Sequence, residues 1–299
     1  MDPRNVPLVD EQLTYSLIQD IRNKADISYD KSKLVLGVVL SQLETILPDA
    51  SSRDFVSQLL TYFPQSEHVD VKVLDSTEDS VVLTDVLNKL IEIKEDAQQR
   101  SWQLHEDEHI ILNLVETLRA LLTDADSAIC NRVLARDGYS AMEALVAYYQ
   151  MEPRWSIRQV LLEVFVICCG LHPLLITSLL NSVLPQELGR DVRSSYISTQ
   201  ERVPQSTLLL TCLFSMGEPM PLSHLDQLGS EFICFILDCI EKNETDEDET
   251  LSDLFLSFLL GYNLQFTPGM GSNVVLECLQ NRSSANVFTS KLLLMFNRE

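Results

Sequence analysis

Apolar residues recur at helical spacing along almost the whole chain, little of it reads as strand, and turn-forming residues are few, 9 Gly and 11 Pro in 299 residues. Together these observations predict an all-α fold. Serial amphipathic helices can hide their apolar stripes only against neighbours. The expected architecture is therefore an armadillo/HEAT-like α-solenoid of stacked helices, a single domain over residues 1–299. No repeat is visible in the sequence itself, and a compact irregular bundle is the alternative. A chain of this length, 45% hydrophobic, holds a core without help from metal or disulfide.

The first stripe is Leu13, Leu17, Ile18 and Ile21, and the second Leu36, Val39, Leu40, Leu43 and Leu47, stopped by Pro48. Ser51 with Asp54 reads as the next helix start, followed by Phe55, Val56, Leu59, Leu60 and Phe63 before Pro64. Residues 65–80 are polar and acidic and read as a loop. The pattern resumes at Val82, Val86, Leu87, Leu90 and Ile91. The longest periodic segment runs from about Ala97 to Leu122, with Trp102, Ile110, Leu114, Leu118, Leu121 and Leu122 on one side. Thr123-Asp124-Ala125-Asp126 caps a short helix through Leu134. Ser140 opens another through Met151, closed by Pro153. Later stripes cover Ile157–Cys169, Leu174–Val183, Ser206–Ser215, Phe232–Ile240, Leu251–Tyr262, Val274–Leu279 and Phe288–Phe296. Residues 185–205 read as a loop, and residues 241–250 as a strongly acidic solvated one.

Asp and Glu number 44 against 22 Lys and Arg, a formal charge of −22. That disfavours nucleic acid, whose phosphates need clustered Lys and Arg, and disfavours anionic membrane surfaces. It suits partners with basic patches, or is simply charge for solvation. Seven cysteines, an odd number mostly inside apolar runs, read as free thiols packed as small hydrophobes. The first residues lack a signal-peptide core, and no uncharged apolar run reaches the roughly 18 residues of a membrane helix. A reducing cytosol is expected, with no cofactor and no small-molecule substrate.

His105-Glu106-Asp107-Glu108-His109 fits H-E-x-x-H, in which two histidines one turn apart hold zinc beside a glutamate base. Both intervening positions are carboxylates and no further histidine follows a turn or two downstream. The reading preferred is an exposed acidic helix face, and no metal site and no catalytic residue are assigned. Cys168, Cys169 and His172 lack the paired spacing of a structural zinc site. No phosphate-binding glycine loop, nucleophile elbow or redox C-x-x-C pair occurs. What remains is surface recognition: Tyr148, Tyr149, Arg154 and Trp155 place aromatics and an arginine at a helix end, residue types enriched among interface anchors. The alternative is that one tyrosine and Trp155 are core, and that is expected for at least one of them.

Several polar runs resemble one family, in the same order. They are Asp96-Ala97-Gln98-Gln99-Arg100-Ser101-Trp102 followed by Glu106-Asp107-Glu108, Leu122-Thr123-Asp124-Ala125-Asp126 and Ala144–Glu152. Ser182–Leu188 with Arg190-Asp191, Phe214-Ser215-Met216-Gly217-Glu218, and Lys291–Leu294 with Asn297-Arg298 continue the series. These are similar to the NCK-interacting protein with SH3 domain and its fungal relatives, clearly over residues 96–298 and loosely over 1–95. The resemblance implies a leucine-rich armadillo-like domain that binds the actin-related protein 2/3 complex and activates it without a pre-existing filament, yielding linear filaments. It also implies a place at the cell cortex, in lamellipodia and in endocytosis. The partner surface is expected on the matched segments: Gln98, Arg100, Glu106, Asp107, Tyr148, Tyr149, Gln150, Arg154, Arg190, Asp191 and Glu218. The SH3 domain and proline-rich region of the family's animal members have no counterpart here, so their ligands are not carried over. The family's helical domain also continues past the Asn-Arg pair, so the chain reads as shortened at its C-terminal end.

Overall fold

The computed structural model describes residues 9–63, 71–99, 107–198, 201–242, 249–266, 273–280, 282 and 285–297. Among them every regular element is an α-helix or a 3₁₀ turn, and none is a strand. The all-α, stacked-helix fold expected from the sequence is the fold found. The chain divides into two compact units, Met1–Leu90 with Glu116–Arg136, and Ile91–Val115 with Asp137–Glu299.

The first unit holds α1 (Glu11–Ala25), α2 (Tyr29–Ile46), α3 (Ala50–Thr61), α4 (Val71–Asp75) and α7 (Ser127–Leu134). It also takes in most of α5 (Glu78–Gln99) and the second half of α6 (Glu108–Asp124). Three of its helices start on aspartates: at α1 Asp10 accepts from Leu13 N at 2.7 Å, at α7 Asp126 accepts from Ala128 N at 3.0 Å, and α3 starts on Asp49. Asp49, not Ser51, caps α3, because its carboxylate reaches the backbone N–H of Ser51 and Ser52. The core is Ile18, Tyr29, Leu36, Leu40, Leu59, Leu83, Leu118, Leu122, Ile129 and Val133. The rings of Tyr15 and Tyr29 lie 5.5 Å apart.

Three expectations are corrected here. Residues 71–80 are not loop: α4 occupies Val71–Asp75 and α5 opens at Glu78. Leu74 is buried, an anchor that the surrounding acidic residues hide in the sequence, while residues 65–70 lie outside the described residues. Ala97, Gln98 and Gln99 do not open a long helix to Leu122. They close α5, which at 22 residues is the longest helix described, and Trp102 lies outside the described residues. On α6 the buried stripe is Ile111, Val115, Leu118 and Leu122, whereas Ile110 is 50% exposed. The core-facing side is rotated from the one the sequence suggested, since several faces of this helix are apolar enough to serve.

The second unit holds the remainder of α5 and α6, then α8 (Ser140–Met151), α9 (Trp155–Leu171), α10 (Pro173–Asn181), α11 (Leu184–Ser198) and α12 (Val203–Phe214). After a 3₁₀ turn at Leu222–His224 come α13 (Leu225–Leu228), α14 (Ser230–Lys242), α15 (Glu249–Asn263), α16 (Val274–Gln280) and α17 (Ala285–Asn297). Here a repeat hidden in the sequence becomes visible. α9 packs on α12 and α12 on α15. These three begin at Trp155, Val203 and Glu249, a spacing of about 47 residues, within the roughly 40–47 of armadillo and HEAT units. Each is every third α-helix, and the intervening helices cover it on its other sides. Edge-on aromatic contacts fill the stack: Phe214 to Tyr262 at 4.9 Å, Phe232 to Phe258 at 5.8 Å and Tyr149 to Phe165 at 6.0 Å.

The expected loop at 185–205 is mostly helix α11. Pro185 sits in its first turn, where a missing N–H costs nothing. Leu184, Leu188 and Val192 are fully buried at four-residue intervals. Glu187, Arg190 and Asp191 interrupt that stripe, and Arg193, Ser194 and Ser195 follow it, so it is masked in the sequence. Gly189 permits the close approach of α13: a Cβ there would stand 2.7 Å from Leu228 Cδ2.

Candidate partner-binding surface

α8 ends at Met151 because Pro153 cannot continue the backbone hydrogen-bond ladder. The connection Glu152-Pro153-Arg154 then turns directly into α9. Tyr148 O–H donates to Glu152 Oε2 at 2.7 Å. Arg154 closes on the same carboxylate with Nε at 2.7 Å and Nη2 at 2.6 Å, and its backbone N–H donates at 2.9 Å. Burial pushes the Glu152 carboxyl up, but the Arg154 and Tyr148 hydrogen bonds outweigh it and hold the group below its usual range.

One turn deeper, Tyr149 O–H donates to Asp191 Oδ2 at 2.6 Å. Arg158 pairs with the same oxygen and lies over the Tyr149 ring at 4.1 Å. Arg202 approaches Asp191 Oδ1 at 3.6 Å and covers the Trp155 ring at 5.2 Å. Burial, then the Asp191 charge, raise the Tyr149 pKa, so its hydroxyl stays a proton donor. At the outer edge Gln150 Nε2 donates to Glu187 Oε1 at 3.1 Å and Arg190 Nη1 to the same oxygen at 2.7 Å. Ser156 O–H reaches Glu108 Oε1 at 2.6 Å, joining the start of α6 to the start of α9.

The sequence-predicted residues thus separate into layers. Tyr148, Tyr149 and Asp191 are not surface anchors: they are 2%, 0% and 5% exposed. Their polar atoms are turned inward because an unpaired hydroxyl or carboxylate in the core would be costly. Gln150 and Arg190 are exposed, and Arg154 is half-buried beside them. Asp107 is half-buried next to Glu108. Glu218 lies elsewhere in the unit, accepting from Thr177 O–H at 2.9 Å. Gln98 is exposed on α5. Arg100 and Glu106 lie outside the described residues, as does His105, while His109 is exposed on α6. Among the described residues no group of three His, Cys, Asp or Glu is placed to hold a metal ion.

Three residues that organise this cluster were not singled out as site residues from the sequence. Arg158 is the lone cation early in the most apolar stretch of the chain, and a charge in such a run signals a buried partner. Arg202 and Glu187 carry no comparable signal, since their roles depend on α11 and α12 coming together. A scan against models of known protein families finds no match.

Proposed function

We propose that this chain is a protein-binding scaffold, not an enzyme, whose partner is the actin-related protein 2/3 complex. It would bind the active arrangement of that complex more tightly than the inactive one and so start linear filaments without a pre-existing one. A scaffold shifts such an equilibrium only by its difference in affinity for the two states. No bond is made or broken by the chain. The setting that goes with this reading is the cytoplasmic cortex, including lamellipodia and endocytic sites. Among the described residues no helix is long and apolar enough to cross a membrane.

One observation carries the reading. Two of the segments that resemble the NCK-interacting family, Ala144–Glu152 and Ser182–Leu188 with Arg190-Asp191, meet through Gln150 on Glu187 and Tyr149 on Asp191. The inner members of this network set the positions of α8, α9 and α11. Gln150, Arg154 and Arg190 are left on its outer rim, where a partner can reach them.

Assembly of pyrene-labelled actin with the purified complex tests this. The chain should shorten the lag, and Arg190→Glu and Arg100→Glu should restore it while leaving the helical circular dichroism unchanged. Binding without a change in lag would make the chain a passive adaptor tethering cytoskeletal or endocytic partners. No binding at micromolar concentration would end the proposal.

A further inference from the structure

Cys234 lies on α14 and Cys278 on α16, two helices of the second unit that pack against each other. The Cys278 thiol donates to the Ser230 carbonyl at 3.6 Å. Ser230 precedes Cys234 by one helical turn on the same face. Just past the end of α16, Arg282 Nη2 donates to the Cys234 carbonyl at 3.2 Å. These contacts lay the Cys278 side chain against the face of α14 that carries Cys234. Both are free thiols, Cys278 buried and Cys234 half-buried. Neither belongs to the network around Asp191.

We propose that Cys234 and Cys278 form a reversible oxidative modification site, taking up one disulfide when a peroxide reaches Cys234. The Cys234 thiolate attacks a peroxide oxygen. The O–O bond breaks, Cys234 becomes a sulfenic acid, and the departing hydroxide takes up a proton as water. The Cys278 sulfur then attacks the Cys234 sulfur. The S–S bond forms, the S–O bond breaks, and the oxygen leaves as a second water carrying the Cys278 proton. Two thiols together lose two electrons, and one hydrogen peroxide is reduced to two waters. The half-buried partner reacts first because the oxidant can reach it; the buried one, already against it, resolves the intermediate. Burial first, and then the neighbouring thiol, push Cys278 up to about 12, so the second step is slow at neutral pH and quickens as pH rises. The bond ties α16, and Arg282 beyond it, to α14.

The test uses the whole chain, treated with hydrogen peroxide, blocked with iodoacetamide and digested without reductant. Mass spectrometry should find a peptide joining Cys234 to Cys278 that dithiothreitol separates, forming several-fold faster at pH 8.5 than at pH 7. In Cys278→Ala the joined peptide should vanish and Cys234 should be trapped as its sulfenic acid by dimedone. Should that variant lose its helical signal, Cys234→Ser serves instead and should leave Cys278 alkylated. A wild-type chain whose Cys234 goes to sulfinic acid, or whose two cysteines are both recovered alkylated, overturns the proposal.

Discussion

Asp75 in the first unit and Asp191 in the second are each met by two arginines, yet the two clusters differ in what they do. Arg132 grips Asp75 with a two-pronged fork, both bonds 2.7 Å, and Arg136 adds a third contact at 3.2 Å. The geometry is near ideal, but the Asp75 and Arg132 side chains are 37% and 36% exposed. The Asp191 and Arg158 side chains alone are 8% and 9% exposed, and a tyrosine hydroxyl completes their shell. Water competes for the first cluster and is excluded from the second. Burial rather than bond geometry therefore decides which network the fold depends on.

The largest effect should come from Arg158→Met, which leaves Asp191 charged in the interior with its nearest cation gone. A loss of about 3–5 kcal/mol in urea denaturation is expected. A loss no larger than that of a surface substitution would remove the contrast between the clusters. Tyr149→Phe keeps the ring against Phe165 and deletes one hydrogen bond to a charged acceptor, so it should cost about 1.5–3 kcal/mol. Arg132→Ala should change the urea midpoint least of the three, and an effect matching Arg158→Met would reverse the ranking.

Acid separates the units further. Glu152 in the second unit has its carboxyl held below the usual range. Its stabilisation is full at neutral pH and is lost as pH falls through that lowered value. Asp126 in the first unit is pushed the other way, by burial. Its ionised form is a cost at neutral pH that disappears as pH falls through the raised value. Glu152→Gln should therefore weaken the protein at pH 7 and matter less at the acid end. Asp126→Asn, which can still cap α7, should be neutral or stabilising at pH 7 and flatten the pH profile. Stability curves of the two variants from pH 3 to 7 that run parallel to wild type would refute both assignments.

How far the fold could be read beforehand follows from where the signals are local. α8 was legible to the residue, Ser140 to Met151, because its end is written by Pro153. The start of α7 was legible from the Asp126 cap. α11 was missed because its three buried aliphatics are interleaved with charges that look solvated until α8, α9 and α12 close over them. Tyr148 and Tyr149 looked like surface anchors for the converse reason: nothing in the sequence says that Glu152 and Asp191 accept their hydroxyls. The roughly 47-residue spacing of α9, α12 and α15 escaped notice because equivalent positions keep their packing role without keeping their residues.

The sequence by itself determined that this chain is helical nearly throughout, since apolar spacing and caps act within one turn of backbone. It also determined which polar runs resemble the NCK-interacting family. Only the tertiary structure decided which face of each helix is core, which matched residues are buried supports, and that Cys278 packs on the face of α14 that carries Cys234. Those outcomes depend on pairs far apart in the sequence, such as Arg158 with Asp191, 33 residues apart, and the energy of such a pair is set by the water that the surrounding helices exclude.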